Sequence, residues 1–354
     1  MYTPKFTISN KILKNIGQIE AAKEVIENAP LVPYYEKQFK SEAIVRTVHH
    51  GTHIEGNDLS LDQTRQVLEG EQVVAKERDI QEIINYRKVV NLIDELAAKR
   101  GGYDTTMLTD IHKETVDKIV APEKIGVIRK TKVVIKEEET GKIVLQPPSA
   151  GEIPHLLEEL FDWLNMPSTS DIHPILEAGI THYYLVSVHP FVEGNGRTTR
   201  AFSTLVLLRE NYDIKKFFSL EEHFDSDLGS YYDAFSKTDS QSEIIGERDL
   251  TYWLEYFTGG VAIELAKIKD RIKKLSIDNR LKGIIGTQVA LTERQMKLVE
   301  HLSENGTATM QDLKNTFPMV SEDTVLRDVN YLIAKKIIKK EGKTKAARYV
   351  MANR

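Results

Sequence analysis

"HPFVEGNGRTTR", residues 189–200, places a histidine, an acid, a Gly-Asn-Gly turn and two arginines within twelve residues. Apolar helical sequence precedes it ("PILEAGITHYYLVSVHPF") and helical sequence follows it ("TTRAFSTLVLLREN"), so the stretch connects two helices. The backbone N–H groups of Gly194, Asn195 and Gly196, at the positive end of the second helix, can form a nest for an anion. Arg197 and Arg200 are three residues apart and share a helix face. Together these features read as a cradle for a polyphosphate. A polyphosphate is normally carried with Mg²⁺, a hard cation that demands oxygen ligands, and Glu193 stands beside the nest to supply one. His189, at the end of the preceding helix, is placed to take a proton from an attacking hydroxyl as general base. Pro190 sets how the chain enters the loop, and Phe191 reads as its buried anchor. Taken singly, a GxG is a turn, a histidine beside an apolar helix is a core residue and an arginine pair is a solvated face. Their concentration in one loop favours chemistry.

Outward from this loop the chain reads mainly helical. "SEAIVRTVHHGTHIEGN" follows a short extended start and reads as helix up to a Gly-Asn stop. "LSLDQTRQVLEGEQVV", with Ser60 as N-cap, "ERDIQEIINYRKVVNLIDELAAKR" and "TTMLTDIHKETVDKIV" keep apolar residues at helical spacing. The period changes in "RKTKVVIKEEETGKIVLQPP", residues 129–148, where two β-branched runs flank an acidic turn and predict a hairpin. "EIPHLLEELFDWLN" resumes the helices. From Leu250 to about Lys282 a long helix becomes steadily more charged, and "GIIGTQVA" follows as a linker.

The composition is that of a soluble globular chain of 354 residues, 41% hydrophobic and 29% charged. That length favours two domains or one large domain with an appendage. With no cysteine, disulfides, thiol chemistry and thiolate metal sites are excluded. No apolar run approaches a membrane span, and "MYTPKFTISNK" lacks the basic start and apolar stretch of a secretory signal, so no membrane partner and a cytoplasmic location are expected.

Charge is unevenly placed. Leu291 to Arg354 carries twelve Lys/Arg against eight Asp/Glu, a net of +4, which leaves −9 on the remainder of a chain whose total is −5. The tail reads helix, helix, helix, then strand, turn and strand, the order of a winged helix-turn-helix in which Ser321 caps the recognition helix. Arg327, Lys335, Lys336, Lys339, Lys340, Lys343, Lys345 and Arg348 favour a contact with DNA. Glu322 and Asp323, opening that helix, would repel phosphates, so a protein-interaction module is the alternative.

The loop matches HxFx(D/E)GNGRxxR at every specified position, through His189, Phe191, Glu193, Gly194, Asn195, Gly196, Arg197 and Arg200, and so resembles a Fic-domain protein. "QEIINY", "LTDIHKETV", "GVIR", "QPPSAGEIPHLLEELFDWL" and "YYDAF" resemble further landmarks of that family, which extends the resemblance over about residues 1–260. It implies an all-helical Fic fold with a β-hairpin flap, followed here by the small α+β winged-helix domain. The expected divisions are an N-terminal helical region over 1–110 with an inhibitory helix at about 41–57, a catalytic core over 111–258, a connecting helix and linker over 259–290, and the tail over 291–354. The implied activity is transfer of AMP from ATP to a hydroxyl of a target protein, or of the protein itself, with release of pyrophosphate. The resemblance assigns His189 as base, Glu193 as Mg²⁺ ligand, Asn195 and the glycine backbone as phosphate binders, and Arg197 and Arg200 as clamps on the outer phosphates. Tyr231 or Tyr232 would border the adenine, and the hairpin would offer its edge to a target strand. A homodimer is also implied.

"THIEGN", residues 52–57, resembles the inhibitory motif (S/T)xxxE(G/N) of that family. The resemblance pairs Glu55 with Arg200 in the place of the γ-phosphate. Gly51 stands where the motif has Ser or Thr, with Thr52 one position late, so Thr52 substitutes or the helix is less firmly pinned. His49 and His53, one helical turn apart beside His50, invite a metal reading, but no further ligand has a motif spacing, and histidines packed against a polar site account for them. Two other functions remain open: a DNA-binding regulator with a nucleotide-sensing body, against which the intact His189 speaks, and a Fic enzyme that transfers another phosphate-linked group or removes AMP.

Overall fold

In the computed structural model, residues 2–29, 33–99, 101–136, 143–212, 214–285, 291–342 and 347–352 are described. Helix α1 (Asn10–Glu27) is opened by Ser9, whose hydroxyl accepts from the Ile12 N–H at 3.3 Å. It buries Ile12, Ile19, Ala22 and Ile26 on one face, so the expected extended start is short: helix begins at Asn10. Helix α2 (Pro33–His53) likewise begins well before Ser41, and it ends before the Gly-Asn stop. Helix α3 (Leu61–Leu68) carries a full capping box between Ser60 and Gln63, and α4 (Glu77–Ala98) and α5 (Thr105–Val116) follow.

Strands β1 (Ile135–Lys136) and β2 (Ile143–Leu145) pair antiparallel, Ile135 opposite Leu145 and Lys136 opposite Ile143. The hairpin's acidic turn, residues 137–142, lies outside the described residues. Helix α6 (Ile153–Leu164) then packs on α7 (Pro174–Val188), whose residues are buried almost throughout, from Ile175 to Val188. A helix apolar on all sides belongs inside a bundle. Helix α8 (Asn195–Arg209) runs against α7, with α4 and α5 on its other sides, and α9 (Leu220–Ser226) packs on α2. Helix α10 (Leu228–Asp239) precedes the long α11 (Thr251–Ile285), whose Trp253 Nε1 donates to the Gly179 carbonyl of α7 at 2.7 Å. Helix α11 continues through the first residues of the expected linker, and residues 286–290 lie outside the described residues.

The chain divides into two compact units, one of Met1–Asn28 with Val32–Ile268, the other of Ala29–Leu31 with Lys269–Arg354. The stretches expected as separate regions over 1–110 and 111–258 therefore share one unit, because α2, α4 and α5 supply the walls of α8. The second unit contains α12 (Glu293–Asn305), β3 (Thr307–Thr309), α13 (Met310–Asn315), α14 (Glu322–Ala334), β4 (Ile338–Glu341) and β5 (Arg348–Met351). Its sheet has the order β3-β5-β4, so β3, which the sequence reading omitted, joins the expected strand pair. Leu298, Leu302, Leu313, Val325, Val329, Leu332, Ile337 and Tyr349 form its core. Ser321 caps α14 as expected, accepting from the Thr324 N–H at 3.4 Å. Among the described residues, no helix is long and apolar enough to cross a membrane.

Candidate active site

His189 ends α7 in the left-handed region, φ 49° and ψ 64°, a conformation that a non-glycine residue holds only where its surroundings impose it. The imposing residue is Arg129. Its Nε donates to the His189 carbonyl at 2.7 Å, Nη1 to Thr131 O at 2.9 Å and Nη2 to Pro148 O at 2.8 Å, while its backbone N–H donates to Pro190 O at 2.9 Å. One buried guanidinium thus ties both roots of the hairpin to the loop that bears His189. Burial pushes the His189 imidazole down to about 4, against the pull of the nearby Glu55 carboxylate. At neutral pH the ring is uncharged and able to accept a proton.

Phe191 is buried and stacks on His112, ring centroids 3.7 Å apart. His112 Nε2 lies 3.0 Å from the Glu193 carbonyl and its Nδ1 accepts from the Gly126 N–H at 3.0 Å, which fixes the Nε2-protonated tautomer. Gly194 supplies the turn with φ 78° as N-cap of α8, and a Cβ there would strike Val116. Asn195 was expected to bind phosphate. Instead its Oδ1 accepts from the Phe191 N–H at 2.8 Å and its Nδ2 donates to the Phe191 carbonyl at 2.9 Å. With both ends of the amide spent on the loop's own backbone, Asn195 shapes the turn and leaves its main chain to face an anion.

Arg197 and Arg200 are 2% and 3% exposed, far too buried for a solvated face. Arg200 Nη2 donates to Glu55 Oε1 at 2.8 Å and to the Gly51 carbonyl at 2.8 Å. The Glu55 carboxylate lies directly over Gly196, where a Cβ would collide with it. The contact runs from Arg200 Nη2 to one carboxylate oxygen. Burial pushes the Glu55 carboxyl up, but Arg200 and Arg197 outweigh it and hold it below its ordinary value. Glu55 itself sits in the turn that follows α2, one turn of backbone hydrogen bonds beyond the helix, with its N–H on the Thr52 carbonyl at 3.0 Å.

The deviant Gly51 has a local cause. The buried Tyr86 ring of α4 lies where a side chain at 51 would stand, and its hydroxyl donates to Glu221 Oε1 at 3.1 Å. Thr52 Oγ1 bonds back to Val48 O at 2.9 Å and His49 O at 3.0 Å, within its own helix. Asn57 pins the turn, its Nδ2 donating to Asp79 O and Glu82 Oε2, both at 3.0 Å.

Glu82, absent from the sequence reading, is buried and stands 3.2 Å from Arg197 Nη1. Arg78 donates to both Glu82 and Glu193, and Glu193 is also 3.9 Å from Arg197 Nη2. Tyr231, expected with Tyr232 as a possible border of the adenine, is buried among Phe224, Phe235 and Trp253 with its hydroxyl 2.9 Å from His182 Nε2. Tyr232 is exposed. His50 and His53 each bring Nδ1 to Asp225, at 2.7 and 2.8 Å, joining α2 to α9. No group of three or more ligating side chains suited to a metal occurs among the described residues.

The residues fit a polyphosphate. Arg197 Nε and Arg200 Nε are buried without a hydrogen-bond partner, and Arg197 Nη1 has the Glu82 carboxylate at 3.2 Å, while Glu55 places an anion on Arg200. A carboxylate oxygen beside them, on Glu193, fits a divalent cation by its chemistry.

Residues 102–207 match the Fic/DOC family model. A relative from Culex quinquefasciatus named protein adenylyltransferase Fic is 29% identical over 202 residues, 56% of this chain and 39% of that protein. One of the same name from Drosophila melanogaster is 30% identical over 178 residues, 50% of this chain and 35% of that one. The chain thus spans little more than a third of the length of these relatives. Among solved structures, a Fic family protein from Desulfovibrio desulfuricans G20 aligns over 100% of this chain and 99% of its own, with a TM-score of 0.62 at 22% identity. A Fic domain containing signaling protein from Bacteroides thetaiotaomicron covers 73% of this chain and 97% of its own, with a TM-score of 0.63 at 21% identity. What this chain shares with these proteins is a Fic/DOC domain at residues 102–207, set in a Fic fold.

Proposed function

We propose that the protein is an adenylyltransferase that moves AMP from ATP to a hydroxyl of a protein, and that Glu55 restrains it. The observation that carries this reading is the pair of buried arginines with unused N–H groups, arrayed beside an uncharged histidine and stoppered by a carboxylate. Arg197 and Arg200 hold the outer phosphates, and the backbone of Gly194 to Gly196, shaped by Asn195, receives the inner ones. His189 takes the proton of the target Ser, Thr or Tyr hydroxyl. The freed oxygen attacks the α-phosphorus, a P–O bond forms, and the bond to the β-phosphate breaks with pyrophosphate leaving. A divalent cation on Glu193 would offset the charge building on the phosphates. With Glu55 on Arg200, the γ-phosphate loses that partner and ATP does not settle for reaction. Tyr232, exposed near the site, is the remaining aromatic candidate for the adenine.

The test is incubation with ATP labelled at the α-phosphate, alone and with a cell lysate, followed by mass spectrometry of labelled proteins. AMP on a hydroxyl side chain, lost in His189→Ala, supports the reading; label independent of His189 contradicts it. A second reading, removal of AMP, is favoured by the closeness of Glu55 to His189, which would let Glu55 orient a water. For residues 291–354 we propose DNA contact as a separate role.

A further inference from the structure

Glu193, the side chain that the proposed function gives to a divalent cation, already has a cationic partner. Arg78, in the first turn of α4, donates through Nη2 to Glu193 Oε1 and through Nε to Glu82 Oε1, the latter at 3.2 Å. The two carboxylates differ in setting. Glu82 is buried and keeps two further partners, Asn57 Nδ2 at 3.0 Å and Arg197 Nη1 at 3.2 Å. The Glu193 side chain is 35% exposed, and its remaining cation, Arg197 Nη2, is 3.9 Å away. Arg78 is therefore anchored at a firm carboxylate and reaches over a looser one.

We propose that Arg78 is a positioning residue of this site: it holds the Glu193 carboxylate while no metal is bound and competes with the divalent cation for it. The inference rests on Glu193 being the cation's ligand. A guanidinium and a hard dication both satisfy the charge of one carboxylate, but Oε1 cannot serve a bonded guanidinium and a cation at full strength together. Arg78 can withdraw at a modest cost, because its side chain is 55% exposed and water replaces Glu193 as its partner. Glu82 stays compensated by Arg197 and Asn57 when it does. Together with Glu55 on Arg200, the closed site then carries an anion in the place of a phosphate and a cation in the place of the metal. Relief of one does not relieve the other.

The test uses the full chain in a Glu55→Gly background, so that nucleotide is admitted, and measures the Mn²⁺ concentration at which the protein retains half of a non-hydrolysable ATP analogue. Arg78→Ala and Arg78→Gln should each lower that concentration about three- to tenfold, the scale of losing one exposed charge-assisted contact. Glu193→Gln should raise it and abolish the effect of Arg78→Ala. An unchanged or raised requirement in both Arg78 variants, with far-ultraviolet circular dichroism intact, overturns the proposal while leaving the metal role of Glu193 standing. An Arg78→Ala effect that persists in Glu193→Gln overturns it as well, because Arg78 would then act through another group. If Glu193→Gln leaves the titration unmoved, Glu193 is not the cation's ligand and both the assignment and the inference fall.

Discussion

Gly51 and Tyr86 are in direct contact: the buried tyrosine ring occupies the space that any side chain at 51 would need, and Arg200 takes the Gly51 carbonyl at 2.8 Å. The position at which the resembled inhibitory motif has Ser or Thr is thus filled from outside, by an aromatic ring on α4.

Restoring the common residue should therefore harm the fold. Gly51→Ser is expected to destabilise by about 1–3 kcal/mol, because Tyr86, tied to Glu221, cannot move aside freely. The displaced turn should also loosen Glu55 and raise labelling by ATP. Urea unfolding checks the first part, and a variant as stable as the parent would show that the ring yields.

Arg129 makes a sharper structural prediction. Lysine keeps the charge but not the fork that reaches His189 O, Thr131 O and Pro148 O, so Arg129→Lys leaves buried carbonyls without a donor. With two of the three carbonyls orphaned at about 1–3 kcal/mol each, a loss of about 2–6 kcal/mol is expected, with AMP transfer falling further as His189 leaves its strained conformation. Full activity in Arg129→Lys would remove Arg129 from the support of the base.

The pH profile reports His189. Burial holds its folded value at about 4, below the ordinary 6.5, so the imidazole remains unprotonated, and competent as a base, at any pH above about 4. On the acid side, kcat/KM for transfer should stay level down to about pH 5 and fall only toward pH 4. An acid limb centred near 6.5 would mean that the ring is solvated in the working enzyme.

For the second unit, DNA contact through the basic groups of α14 and the strands predicts binding of the full chain to duplex DNA that weakens steeply with salt. Retention that is absent, or indifferent to salt, would favour a protein partner, in keeping with Glu322 and Asp323 at the start of α14.

Much of the site was legible because its chemistry is contiguous: His189, Glu193, Gly194, Gly196, Arg197 and Arg200 fall in one loop and one helix turn, and Glu55 carries a local pattern of its own. The supports were not. Arg78 and Glu82 come from α4, His112 from α5 and Arg129 from the segment before the hairpin, and only the fold brings them to the loop, although Glu82, His112 and Arg129 lay within the quoted "QEIINY", "LTDIHKETV" and "GVIR". The role of the Asn195 side chain was not legible either, because its partners are the N–H and carbonyl of Phe191, four residues back along the chain. Helix α1 was missed because Asn, Lys and Gly17 dilute its apolar stripe, although Ser9 and the buried isoleucines marked it.

The central claim is that Glu55 holds Arg200 against ATP, and it is tested most directly by α-phosphate labelling of wild type, Glu55→Gly and Glu55→Gly/His189→Ala at equal ATP. The tethered carboxylate and the γ-phosphate compete for one guanidinium; a difference of about 1.4–3 kcal/mol between them corresponds to a ten- to hundredfold gain when the carboxylate is removed. The account predicts that gain in Glu55→Gly and its disappearance in the double variant. Equal or lower labelling in Glu55→Gly would contradict it.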